Sequence, residues 1–184
     1  ENQEIDFAIK DLEDEALLNK YEELTKSHPG NYVVFYNYGI EVDKFINSQA
    51  SAGKDIPAYK NKMIELFKKE NSIKSTIEGN IKMANIYYSK TYDLQEQAGK
   101  IKGTKPAEVK LKNELQASIK STMAEAIPFA EEAEKLLAAL KEYKFTDKAN
   151  YKLAIEILSH AYKMSGNAVK VAEYEKKKAE VEKL

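Results

Sequence analysis

Apolar residues along this chain recur at three- and four-residue intervals almost from end to end. In FAIKDLEDEALLNKYEELTKS, Ile9, Leu12, Ala16, Leu17, Tyr21 and Leu24 fall on roughly one stripe, with Glu22 and Lys26 as an i,i+4 pair beside it. That spacing predicts one helix, ended by His28-Pro29-Gly30. The next run, YVVFYNYG, has the composition of a β-strand but does not alternate apolar and polar residues. Phe35, Tyr38, Gly39, Val42, Phe45 and Ile46 instead fall at i, i+3, i+4, i+7, i+10 and i+11. A face sustained over three turns outranks local propensity, so a helix is expected over about residues 32–50, closed by SAGKD at 51–55.

Further along, Pro57 opens a helix whose stripe is Tyr59, Met63, Leu66 and Phe67, and residues 71–76 either continue or break it. Residues 75–98 carry Ile77, Ile81, Ala84 and Tyr88 on one stripe, with Met83 and Tyr87 beside it. A loop follows at 99–105, in which Thr104 is placed to cap the next helix and Pro106 to enter its first turn. From 106 to about 142 the pattern is one long helix with a break or kink near Pro128. A turn at 143–150 offers Thr146 or Asp147 as a cap for a helix over 148–165. SGN at 165–167 then turns into a charged last helix. The expectation is a single all-α domain of about six or seven helices.

Composition narrows the function classes. The 184 residues are 43% hydrophobic and 32% charged, enough to bury a sizeable core. Only 7 Gly and 4 Pro interrupt the chain, in keeping with long helices. Net charge is −1, and all 29 basic residues are lysine. Without a basic field or the bidentate fork of arginine, nucleic-acid recognition is not expected. No apolar run approaches the roughly 18 residues of a membrane span, so no integral membrane segment is expected.

Candidate chemistry is sparse. The chain has no cysteine, which excludes disulfides, thiolate metal sites and cysteine nucleophiles. Histidine occurs only at 28 and 160. His28 lies in the Pro-Gly turn, where a capping or surface role suffices. His160 has Glu156 one turn earlier, but neither His-Glu-x-x-His nor a doubled Glu-x-x-His pattern is present. GKIKGTK lacks the spacing of a phosphate-binding loop, and no Gly-x-Ser-x-Gly elbow occurs. Glu131, Glu132 and Glu134 read as part of a solvated face. No catalytic residue, metal site or cofactor is expected, and so no enzyme. Twelve tyrosines are the notable excess, and tyrosine suits both cores and binding surfaces.

SHPGNYVVFYNYGIEV resembles the junction between two tetratricopeptide (TPR) repeats. Leu17, Tyr21, Leu24 and Pro29 match the end of one repeat, and Phe35, Tyr38-Gly39 and Val42 the start of the next. NIKMANIYY is similar, with Met83-Ala84 in the paired position and Tyr87 as the tyrosine. IEILSHAYKMSGNAVKVAEY is similar again, with Ile155, Leu158-Ser159 and Tyr162, then Gly166-Asn167 in the turn and Val171 and Tyr174 beyond it. The paired positions lie 45 and 75 residues apart rather than about 34, so the regions 50–76 and 98–146 hold longer helices or insertions.

The resemblance implies a right-handed superhelix of antiparallel helix pairs; an antiparallel helical bundle is the alternative. The first helix matches the second half of a repeat, which leaves room for a longer array. The resemblance is to divergent TPR-type proteins that bacteria export. It implies an extracytoplasmic setting, with the periplasm or outer membrane favoured and the cytoplasm as the alternative. It also implies a protein or peptide partner held in a concave groove lined by the first helix of each pair. Carried onto this chain, the groove positions are Tyr36, Ile40, Asp43 and Lys44; Asn85 and Tyr88; and Glu156, His160 and Lys163. A structural role in a cell-envelope assembly and a small-molecule site around Glu156 and His160 are the competing readings.

Overall fold

The computed structural model describes residues 2–183. Among them are eight α-helices, one short 3-10 turn at Gln49–Ser51 and no strand. The helices are α1 (Asn2–Ile9), α2 (Asp14–Ser27), α3 (Tyr32–Ile46), α4 (Ile56–Ile73), α5 (Ile77–Lys100), α6 (Pro106–Ala138), α7 (Phe145–Ser165) and α8 (Ala168–Val181). The all-α expectation holds, and the aromatic run at 32–39 is helical. The helices form two compact units, Glu1–Ser75 and Thr76–Leu184.

One expected helix is two. The stripe from Ile9 to Leu24 is interrupted between α1 and α2, which raises the count above six or seven. Asp11, Glu13, Asp14 and Glu15 crowd the break, and like charges at i,i+3 and i,i+4 disfavour a helix interior. The same acids suit a helix start, and Asp14 and Glu15 lie in the first turn of α2. Asp14 has φ +47°, a conformation that Asp tolerates better than most residues. Ala16, expected on the buried stripe, is exposed as a result.

In the first unit α3 packs against α2 on one side and α4 on the other. Asn31 caps α3, its side-chain oxygen accepting from the Val33 N–H, and Asp55 caps α4 in the same way from Ala58. Phe35, Tyr38, Val42 and Phe45 are buried as their spacing predicts. Gly39 faces Phe67 of α4, whose ring is fully buried. Removing a ring of that size from water stabilises the fold by about 1.5–3 kcal/mol.

In the second unit α5 packs along α6, α6 along α7 and α7 along α8, and α5 also meets α7 directly. Short connections between such partners give antiparallel hairpins. Ala126, Ala130 and Ala133 are fully buried on α6, at a spacing that lines one side of the helix. Ile81 of α5, Ala133 of α6 and Ala154 of α7 pack together in one cluster, so small side chains let three helices converge.

Several boundaries differ from expectation. α6 runs through Pro128 as a single helix. Pro128 is exposed while Ala126 and Ala130 beside it are fully buried, so flanking burial holds a helix that the proline weakens. Lys105 rather than Thr104 is the N-cap of α6, and Glu108 reaches back to accept from the Lys105 N–H at 3.2 Å. α7 begins at Phe145, with Asp147 in its first turn accepting from the Lys144 N–H at 2.9 Å, so neither Thr146 nor Asp147 is the cap residue. The turn into α8 is as expected: Gly166 is left-handed, and Asn167 caps the helix from the Lys170 N–H.

Candidate functional site

The feature that best merits the name of a site sits where α5 meets α7. Asn85, Tyr88 and Tyr92 stand at i, i+3 and i+7 on α5, and Glu156, His160 and Lys163 at i, i+4 and i+7 on α7. Tyr88 forms the floor, only 7% exposed. Its ring meets Tyr92 edge-on at 4.9 Å and His160 edge-on at 5.6 Å, and the Tyr92 and His160 rings lie 5.8 Å apart.

The Tyr88 hydroxyl joins the polar groups. It donates to Glu156 Oε1 at 3.2 Å and shares a 2.8 Å hydrogen bond with the Tyr92 hydroxyl. Nδ1 of His160 lies 3.4 Å away. With its single proton directed to Glu156, the Tyr88 oxygen accepts from Tyr92. Burial first, then the Tyr92 hydrogen bond and the Glu156 charge, hold the Tyr88 phenol far above its ordinary value. It therefore stays protonated near neutral pH and is a hydrogen-bond donor, not a base or nucleophile. Around this floor the rim is open: Tyr92 is 47% exposed, Glu156 is exposed and His160 half-buried.

The structure thus brings Tyr88, Glu156 and His160 together, with exposed Asn85 one turn before Tyr88. Lys163 is directed elsewhere, paired with Glu175 of α8 at 2.6 Å, where Ser159 also donates to that carboxylate at 2.7 Å. The sequence reading missed Tyr92, although its place one turn after Tyr88 in YYSKTY was the available signal.

The other four positions lie in the first unit. Tyr36 is half-buried, edge-on to Phe67 at 5.8 Å. Ile40 is half-buried, and Asp43 accepts from the Asn47 side chain through its carbonyl at 2.8 Å. Lys44 is exposed, paired with Glu41 at 2.6 Å, and borders a cleft of about 360 Å³ floored by Leu12, Leu17 and Phe45.

Glu131 and Glu134 do not form a plain solvated face. Tyr162 donates to Glu131 at 2.6 Å, and Tyr151 and Lys177 converge on Glu134 at 3.4 and 3.1 Å. α8 folds back on α7 and brings its lysine within reach, which the charge pattern of α6 alone does not reveal. Among the described residues no group of three or more His, Asp and Glu is arranged to hold a metal, and no helix is long and apolar enough to cross a membrane.

Neither a family model, nor a curated protein, nor a solved structure matches the chain.

Proposed function

We propose that this chain is a non-catalytic protein-interaction module, and that the α5–α7 face of its second unit takes an extended peptide or a partner helix. The observation that carries the reading is the cluster itself: side chains from α5 and α7, Tyr88 and Tyr92 with Glu156 and His160, meet over a buried floor and a half-open rim. Aromatic rings with polar tips are enriched where proteins bind proteins. Two further features support a TPR-like arrangement here. α5 reaches past α6 to contact α7, as first helices do in a stack of hairpins. The 75-residue spacing between paired positions is taken up mainly by α6, a helix of 33 residues.

Selection of random displayed peptides on the whole chain tests this reading. The expected result is a class of binders that loses affinity for Tyr92→Ala and Asn85→Ala while both variants keep the parent melting temperature. Binders indifferent to both substitutions would place recognition elsewhere and overturn the reading.

A further inference from the structure

Tyrosine, glutamate and lysine meet at two other places in this chain, each within one unit. In the first unit Tyr21 and Tyr38 stack at 5.6 Å with their rings 10° apart. Tyr38 donates to Glu22 at 3.2 Å, and Lys62 binds the same carboxylate at 2.7 Å with its ammonium 5.6 Å from the Tyr38 ring centre. In the second unit Tyr162 and Tyr174 stack, again at 5.6 Å and 10°. Tyr162 donates to Glu131 at 2.6 Å. Lys170 lies 5.9 and 5.6 Å from the two ring centres, and Lys177 lies 5.0 Å from that of Tyr174 while bound to Glu134. In both places a tyrosine hydroxyl engages a carboxylate and a lysine covers the electron-rich ring face.

The α5–α7 cluster has the same parts save one. It has Tyr88 and Tyr92, here edge-on rather than stacked, the carboxylate of Glu156 taking a tyrosine hydroxyl, and the half-open ring of Tyr92. Among the described residues no lysine lies over Tyr88, Tyr92 or His160, and Glu156 makes no ion pair. Of the two lysines on this face of α7, Lys163, one turn after His160, is held by Glu175, and Lys152, one turn before Glu156, makes no ion pair with it. A carboxylate at the edge of aromatic rings is complementary to an ammonium or guanidinium group, which gains from the ring quadrupole and the anion together.

We propose that the missing cation comes from the partner: a lysine or arginine side chain of a bound polypeptide seats against Tyr92 and pairs with Glu156. This rests on the partner-binding reading of the same face and names the chemistry it recognises. Tyr88 then acts as a positioning residue, fixing the Glu156 carboxylate through its hydroxyl.

The test takes peptides selected on the whole chain whose binding falls with Tyr92→Ala. Each Lys is then replaced by norleucine and each Arg by citrulline, which keep the carbon chain and remove the charge. One such replacement should weaken binding about fivefold, the size of a cation–π contact at a part-exposed site. Glu156→Gln should weaken the parent peptide by a similar factor and leave the neutral peptide unchanged. Peptides that depend on Tyr92 yet bind equally well without their cations would overturn the cation inference and leave the interaction face intact. A failure to find any peptide that depends on Tyr92 would overturn both. Tyr92→Phe, which keeps the ring, should retain most of the binding and guards against misreading a folding defect.

Discussion

A Cβ atom added to Gly39 would stand 2.8 Å from Cζ of Phe67, so α3 and α4 meet through a hydrogen atom and an aromatic ring. Two effects oppose each other in Gly39→Ala. Alanine favours the helix over glycine by about 1 kcal/mol. The new methyl drives into a ring that is 0% exposed and has no room to retreat, and overpacking of this kind costs about 1–3 kcal/mol. The clash should win, with a net loss of up to about 2 kcal/mol in denaturant unfolding. In a Phe67→Leu background the ring is gone and Gly39→Ala should become neutral or stabilising. Additivity of the two substitutions would show that Gly39 is not there to admit the ring.

Glu22 is the carboxylate on which Tyr38 and Lys62 converge. The Lys62 hydrogen bond first, then the Lys62 charge and the Tyr38 hydrogen bond, hold it below the ordinary carboxylate value of 4.5 against the opposing pull of burial. A folded value that is lowered contributes stability above the unfolded value and loses it as pH falls through the folded one. The first unit should therefore weaken progressively below about pH 4.5. Glu22→Gln should lower stability at pH 7 and flatten that acid limb. The group is more than a third exposed, so the effect is modest. An acid limb equally steep in the variant would assign the weakening to other carboxylates.

How much of this was legible in the sequence differs from feature to feature. The helical reading of YVVFYNYG was legible because a three-turn periodicity is set by which face is buried, and Phe35, Tyr38 and Val42 are indeed inside. The role of Gly39 was legible as a close approach, but that the approaching group is Phe67 depends on α4 lying against α3. The break before α2 was hidden because the apolar stripe runs across it, while the acids that favour a new helix start also favour a solvated face. Pro128 misled in the opposite direction: local rules see the lost N–H, but the burial of Ala126 and Ala130 on its flanks is a tertiary fact. In the site, Tyr88, Glu156 and His160 were identified separately; their meeting requires the α5–α7 contact, which no local pattern encodes.

Burial raises the phenols of Tyr21, Tyr38, Tyr88, Tyr151, Tyr162 and Tyr174, with Tyr21 and Tyr162 each pushed up to about 12. Desolvation of the phenolate is the first cause in each, with neighbouring carboxylates adding to it. A raised folded value means that the neutral phenol stabilises the native state fully below the unfolded value of 10. That contribution is lost as pH rises from 10 through about 12. Ultraviolet titration should show a lagging set of phenols whose ionisation coincides with loss of helical circular dichroism. Twelve tyrosines ionising in one step near pH 10, with the helices intact, would contradict the burial of these rings.

Pro128 sits inside α6, its ring turned to solvent while Ala126 and Ala130 beside it are fully buried. Restoring an N–H at this position allows a hydrogen bond to the Ala124 carbonyl one turn back. It also removes the clash between the proline ring and that carbonyl. Alanine exceeds proline in a helix interior by about 3 kcal/mol, which sets the upper limit for Pro128→Ala. Part of that gain is offset because freeing the backbone adds conformations to the unfolded chain. The variant should be more stable in denaturant unfolding, with an unchanged dependence on denaturant concentration, because the same surface is buried. A loss of stability would carry a different meaning. It would show that the local geometry imposed by Pro128 is what seats α5 and α7 on the alanine side of α6, and that the proline is retained for packing rather than tolerated.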